Sequence, residues 1–277
     1  MAKPSHRHKT GPRPDRRHRP PARHDDDAPA RPDVKLRPDE VLARVLYRDG
    51  LIIIIDKPAG IPVHAGPKGG PNLEQFLDVL RFGLPRAPGL AHRLDRDTSG
   101  CLVLGRHPKA LRKAGALFAG GQVEKTYWAV VDGAPPAAEG RVDLALKKET
   151  PRGGWKMMVA RSGQQDGQEA VTDYRVLGAS EGPDGPRTWL ELKPRTGRTH
   201  QIRVHCAALG CPVTGDAIYG RKTPGDASLP LMLHARSIVL PLYPNRPPVT
   251  ASAPPPPHMA PLLAACGWRA DPGVMSG

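Results

Sequence analysis

One carboxylate stands out for its setting. In His92-Arg93-Leu94-Asp95-Arg96-Asp97-Thr98-Ser99-Gly100, Asp95 lies between two arginines, just ahead of the apolar run Cys101-Leu102-Val103-Leu104. A carboxylate placed among cations where a loop enters a strand serves as a nucleophile, as a metal ligand or as half of a structural ion pair. A nucleophilic carboxylate attacks a sugar carbon or an activated ring carbon and forms a covalent intermediate. A metal-binding carboxylate would act with Asp97 as a D-x-D pair, holding Mg²⁺ while substrate phosphates complete the shell. In an extended segment odd and even positions face opposite ways, so Arg93, Asp95 and Asp97 would share one side and Arg96 would face away. Asp95 then needs a further cation from elsewhere in the chain.

The run Thr196-Gly197-Arg198-Thr199-His200-Gln201-Ile202-Arg203-Val204-His205 offers candidates. Its spacing predicts a helix over 199–209, opened by Thr199, with anion-attracting amides at its start. His200 and Arg203, three apart, share a face, and Ile202, Cys206 and Leu209 form a buried stripe. On spacing alone, Arg203 and His205 serve equally well as decoration of a solvated face. A third constellation is Lys125-Thr126-Tyr127-Trp128. Strand alternation sets Lys125, Tyr127, Ala129 and Val131 on one face. A tyrosine there stacks on a base, moves a proton or fills core.

These groups need a frame. Residues 43–48 and 51–56 read as strands joined through Asp49-Gly50, a hairpin signal. Leu51-Ile52-Ile53-Ile54-Ile55 is apolar on both faces and predicts a central strand. Asn72, as N-cap, precedes Leu73, Phe76, Leu77 and Leu80 at helical spacing, and 108–119 predicts a second amphipathic helix. Strand signals follow at 123–131, 142–146, 155–159, 170–177, 188–193 and 237–240. Strand runs without regular strand-helix alternation predict an α+β fold. Its central sheet is expected to be mixed and largely antiparallel.

Composition narrows the partner. The chain of 277 residues carries a net charge of +14. Residues 1–24 hold eight basic side chains against Asp15, yet residues 37–277 keep a net +9. A basic body as well as a basic arm points to a polyanion, nucleic acid first. With Trp 4, Tyr 5 and Phe 3, an extended aromatic platform for single strands is disfavoured. The four cysteines form no C-x-x-C pair and suit a reducing cytosol, and a cytoplasmic location is expected. No apolar run approaches the ~18 residues of a membrane span, so no membrane partner is expected. Residues 1–36, rich in Pro, Arg, His and Asp, read as a disordered basic tail. Residues 37–258 read as one domain and 259–277 as a C-terminal tail.

The His92–Gly100 block resembles the signature of RNA pseudouridine synthases of the RluA type. Other blocks resemble that family in the same order: Lys57-Pro58-Ala59-Gly60 with Val63-His64, Lys125-Thr126-Tyr127, Thr196–His205, Gly215-Asp216 with Tyr219-Gly220, and Leu233-His234-Ala235. The likeness covers roughly 41–255 and implies that the sheet is flanked by helices, with a catalytic cleft, and that 37–258 is a catalytic domain. It implies isomerisation of specific uridines to pseudouridine in ribosomal or transfer RNA, by a monomer, with no cofactor or metal. Asp95 would be the nucleophile. Tyr127 would stack on the flipped uracil and help move the proton from C5. Arg203 would pair with Asp95, and Arg93 would fill the space the base vacates. Lys57, His92, Thr98, Arg198 and His200 would contact RNA. Two rival readings remain at this level: a non-catalytic RNA-binding or assembly factor, and a Mg-dependent nuclease built on Asp95 and Asp97.

Overall fold

Of the aliphatic run at 51–55, the four isoleucines are buried from both sides, as its composition requires, and Leu51 is half-buried. The computed structural model describes residues 36–66, 69–150, 155–161, 164, 166–182, 185–220 and 229–270. The basic tail read over 1–36 lies outside these, apart from Leu36, which is buried in the core. A short helix α1 (Pro38–Leu42) leads into β1 (Val45–Arg48) and β2 (Ile52–Lys57). Their hairpin is closed by Asp49, whose Oδ1 accepts from the N–H groups of Leu51 and Ile52. Ile53 and Ile55 pack with Leu102, Leu104, Leu73 and Leu80, while Ile52 and Ile54 pack with Val103 and Leu240. Each fully buried isoleucine is worth about 1.5–3 kcal/mol, so this one strand anchors two cores.

The sheet continues with β3 (Gly89–Leu90), β4 (Ser99–Gly105), β5 (Glu124–Asp132), β6 (Glu139–Asp143), β9 (Val171–Gly182), β10 (Gly185–Pro194), β11 (Leu233–Leu240) and β12 (Val249–Ser252). Its strand order is β1-β2-β4-β11-β5-β10-β9-β6, with β3 on β4 and β12 on β11. The pairings are antiparallel except for β4 with β11. The fold is therefore α+β with a mixed, largely antiparallel sheet, as expected. At the parallel seam Ser99 faces His234 and Gly100 faces Ala235. Gly100 has φ +108°, and a Cβ there would collide with the Ala235 carbonyl. Only glycine lets the two strands meet.

Several elements depart from the sequence reading. Helix α2 (Pro108–Ala119) matches it, capped by His107 Nδ1, which accepts from the Ala110 N–H. Residues Leu73–Leu80, however, wind as a 3-10 helix, and Asn72 gives no side-chain cap; its amide donates to the Gly70 carbonyl instead. The strand read over 142–146 splits between β6 and a separate hairpin, β7 (Leu146–Glu149) with β8 (Lys156–Val159). Helix α3 (Gln201–Ala208) starts later than read. His200, in the left-handed region at φ +54°, is its N-cap, not Thr199. The stretch read as a tail from 259 holds α4 (Ala260–Ala265), which buries Met259, Leu263 and Cys266 against the β5–β10 core. Prolines at 254–257 masked this short amphipathic turn; residues 271–277 lie outside the described set.

Candidate active site

Two walls face each other across a cleft of about 800 Å³. One is the 91–98 segment at the seam of β4 and β11; the other is the 194–203 segment that leads into α3, with Lys125 and Tyr127 of β5 between them.

The first wall is built from backbone tethers. Asp95–Thr98 is a turn, not the extended segment assumed from alternation: the Thr98 N–H donates to the Asp95 carbonyl at 3.2 Å. Leu94 is buried in the core before the turn, and Thr98 and Ser99 are buried after it. The Arg96 carbonyl accepts from Lys57 Nζ at 2.9 Å and from the Gly60 N–H at 3.0 Å. Lys57 spends its other two bonds on the carbonyls of Pro58 and Ile61, both at 2.8 Å. Burial pushes its ammonium down to about 7, while Asp97, Asp95 and Asp56 pull the other way. Lys57 is 0% exposed, which places it out of reach of RNA and corrects its assignment as a substrate contact. It is the post on which the Asp95 turn hangs. Arg96 stays with its own turn, its Nε 3.8 Å from Asp97 Oδ1.

His92 is a second correction. Its Nε2 accepts from the Val103 N–H at 3.0 Å, and its ring stacks on Phe118 with centroids 4.2 Å apart. Burial, with Lys125 adding to it, pushes its pKa down to about 3. The imidazole is a neutral strut for the motif rather than a phosphate ligand. Thr98 lines the cleft, with its buried hydroxyl lacking a hydrogen-bond partner among the described residues. Arg93 is exposed at the rim.

The second wall is held by side chains. Arg203, 6% exposed, donates from Nε to Asp216 Oδ2 at 2.7 Å and from Nη2 to Asp216 Oδ1 at 2.9 Å. Its Nη1 faces Asp95 Oδ2 at 3.7 Å. The pairing expected between Asp95 and Arg203 is therefore present, but the firm, bidentate partner is Asp216. Burial alone would raise the Asp216 carboxyl. The Arg203 guanidinium and the N–H groups of Tyr219 and Ile218 outweigh it and hold it low. A fork-to-fork pair of this kind fixes the guanidinium plane, so Nη1 points at Asp95 by construction.

Behind Arg203 runs a buried polar chain. Gln201 Oε1 accepts from Thr196 Oγ1 and from the Arg198 N–H; its Nε2 donates to Thr172 Oγ1 and the Val171 carbonyl. Thr172 Oγ1 also lies 2.9 Å from His205 Nδ1, and His205 Nε2 reaches the Leu144 carbonyl. His205 is thus buried structure, not a solvated decoration. His200 is buried as well, 2.7 Å from the Tyr219 hydroxyl through Nδ1 and stacked on Trp155. Arg198 stays exposed at the cleft and donates from Nε to the Glu169 carbonyl. Between the walls, burial and then Asp95 push the Tyr127 phenol above its usual range. Lys125, set on the Tyr127 face by alternation but given no role from the sequence, lines the cleft and donates to the Thr196 carbonyl. Asp216 and Gln201 were also missed. The signal available for Asp216 was only its place in the Gly215-Asp216 block.

The arrangement presents one carboxylate, faced by one aimed guanidinium, beside a neutral phenol in a cleft wide enough for a nucleotide. Known proteins resemble this chain over the same region. The profile of a family described as RNA pseudouridylate synthase matches residues 51–208. An RNA pseudouridine synthase of Zymomonas mobilis is 44% identical over 213 residues, which cover 76% of this chain and 93% of the relative. Ribosomal large subunit pseudouridine synthase D of Xanthomonas campestris is 37% identical over 246 residues, 82% of this chain and 70% of that one. The solved structure of human RNA pseudouridylate synthase domain containing 4 superposes with a TM-score of 0.69 at 28% identity, covering 83% of this chain and 95% of its own.

Proposed function

The chain belongs to the RNA pseudouridylate synthase family, and from that premise we propose the roles of its cleft residues and the RNA on which it works. It isomerises uridine to pseudouridine in RNA. In that reaction the bond from N1 of uracil to C1′ breaks, a bond from C5 to C1′ forms, and the proton on C5 is replaced by one on N1. Bonds are exchanged within one nucleotide, so no electrons are gained or lost and no cofactor is called for.

Asp95 is the nucleophile, and it adds to either the sugar or the base. The observation that carries this assignment is the 3.7 Å approach of Arg203 Nη1 to Asp95 Oδ2 inside the cleft. Arg203, locked by Asp216, steers the carboxylate. Tyr127 packs against the flipped uracil as a neutral phenol. Its raised pKa favours stacking and hydrogen-bond donation over action as a phenolate base. Arg93, exposed at the rim, enters the gap left by the base. Flipping costs a few kcal/mol, which phosphate contacts from the basic body offset. The metal reading of Asp95 and Asp97 fits the surroundings poorly: Arg203 faces the first carboxylate, and Arg96 and Lys57 attend the second.

The substrates are structured ribosomal or transfer RNAs, modified in the cytoplasm by a monomer. Ribosomal RNA is supported by the likeness to the large-subunit synthase. Pseudouridine mapping of ribosomal and transfer RNA from cells carrying the wild-type gene or its Asp95→Asn allele tests the reading. A small set of sites is expected to vanish in the mutant. Unchanged maps in both RNA classes would contradict it.

A further inference from the structure

Acidic residues are absent from two long stretches of this chain, 79–94 and 98–123, which together carry seven Lys and Arg side chains. The fold brings these stretches together. Helix α2 lies close on β4 because Gly105 leaves room; a Cβ there would come within 2.6 Å of Leu111 Cα. At its C-terminal end α2 reaches the active cleft through Phe118 and Ala119. At its N-terminal end Leu111 and Arg112 line a second groove of about 570 Å³, opposite Leu84, Pro85 and Arg86.

The groove has an apolar floor and a cationic rim. Arg86 and Arg112 are exposed, and among the described residues neither has an ion pair or a hydrogen bond. Elsewhere Arg141, Arg175 and Arg195 are already tied to carboxylates. Arg106, behind the groove, gives its Nη groups to the carbonyls of Asp49, Arg81 and Phe82 and so fixes the loop that forms the far wall. Among the described residues no acidic side chain lines the groove, and α2 itself carries none. Lys109, Arg112 and Lys113 are exposed along it. At 1.5 Å per residue, the groove-lining Pro108–Arg112 stretch lies about 9–16 Å along the helix from Phe118 and Ala119 at the cleft.

We infer that RNA flanking the target uridine runs along α2 and docks in this groove. A phosphate would sit between Arg86 and Arg112, with a sugar or base edge on the Leu84–Leu111 floor. The inference rests on the RNA-modifying activity and adds a second, distal docking point to it. Free guanidiniums on an acid-free surface attract phosphate at every step, and their attraction is salt-dependent. A distance of about 9–16 Å corresponds to roughly three to five stacked steps at ~3.4 Å each. Only RNA extending further than that from the flipped base reaches the groove.

The test compares the full chain with its Arg86→Glu/Lys109→Glu/Arg112→Glu variant on two labelled RNA hairpins with the same uridine-containing loop. One has a three-base-pair stem, the other twelve. Binding is followed by fluorescence anisotropy from 50 to 200 mM salt, after matched melting temperatures show that the variant is folded. Kd for the long hairpin is expected to rise tenfold or more. Its salt slope should become shallower by about 0.7–0.9 for every phosphate the variant no longer neutralises, and Kd for the short hairpin should hold. A long-hairpin Kd unchanged by the substitutions, or an equal weakening on both hairpins, overturns the inference. If the wild-type chain bound neither hairpin, the RNA reading itself would fall with it. The milder Arg112→Ala variant should move the long-hairpin Kd the same way by a smaller factor.

Discussion

On one side of the cleft Lys57 hands its three N–H bonds to backbone carbonyls, and the Asp95 turn hangs from one of them. On the other side Arg203 is gripped by the two oxygens of Asp216, and α3 is moored through Gln201, Thr172 and His205. The first wall is positioned by main chain and close packing, the second by side chains bonded to side chains. The two also differ in tolerance. A backbone-held wall fails with the fold, because the groups that aim Asp95 also close the sheet. A side-chain-held wall can lose its aim while the sheet stands. The reacting carboxylate sits on the unforgiving wall, and the residue that steers it sits on the adjustable one.

Four changes sharpen or break that contrast. Gly100→Ala strikes the first wall hardest, because the new Cβ meets the Ala235 backbone at a left-handed position. A loss of more than about 4 kcal/mol is expected, read as failure to recover soluble protein; a folded, active variant would refute a backbone-held wall. Lys57→Met removes three hydrogen bonds: the Pro58 and Ile61 carbonyls lose this donor, while the Arg96 carbonyl keeps the Gly60 N–H. Each orphaned acceptor costs about 1–3 kcal/mol, so the melting temperature should fall by roughly 10 °C, with activity lost in proportion to the unfolded fraction.

Asp216→Asn should separate the walls. The isosteric amide keeps shape but frees the guanidinium, so stability drops by only about 2 kcal/mol, below the ~3–5 kcal/mol of a fully broken buried pair. Turnover at saturating RNA should fall at least tenfold with KM little changed, and equal losses in stability and turnover would erase the distinction. The smallest effect lies just below neutral pH. His92 and His234 are held neutral, with pKa values pushed down by burial to about 3 and about 4. His234 bridges the seam through Ser99 Oγ and the Ala253 carbonyl. Between about 6.5 and these values the unfolded chain binds more protons, so stability falls as pH falls. Urea midpoints should drop slightly from pH 7 to 6 and faster below, and His234→Gln should flatten the curve. A midpoint rising on acidification would contradict the buried-neutral assignment.

Some of this was legible in the sequence for simple reasons. Five aliphatics in a row can lie only between two cores, and β2 does. The 3.6-residue period of 108–119 and its leading proline fix α2. The Asp95–Arg203 pairing came from the family resemblance, since spacing alone left Arg203 free to be surface. What spacing hides is where a polar side chain spends its bonds. Lys57 and His92 have the residue types of RNA contacts, yet tertiary carbonyl and N–H partners claim them. Asp216 gains its role only when chain closure brings it under α3. The turn at Asp95–Thr98 defeated the alternation argument, because a tether from Lys57 overrides local extension.

The most direct test of the account is Asp95→Asn in the purified full chain, mixed in excess with RNA from cells that lack the gene. Pseudouridine formed in a single turnover and RNA affinity are measured side by side. The account predicts affinity within a few-fold of wild type and no pseudouridine above background at the sites the wild-type protein modifies. Product formed at those sites by the asparagine variant would contradict Asp95 as the nucleophile.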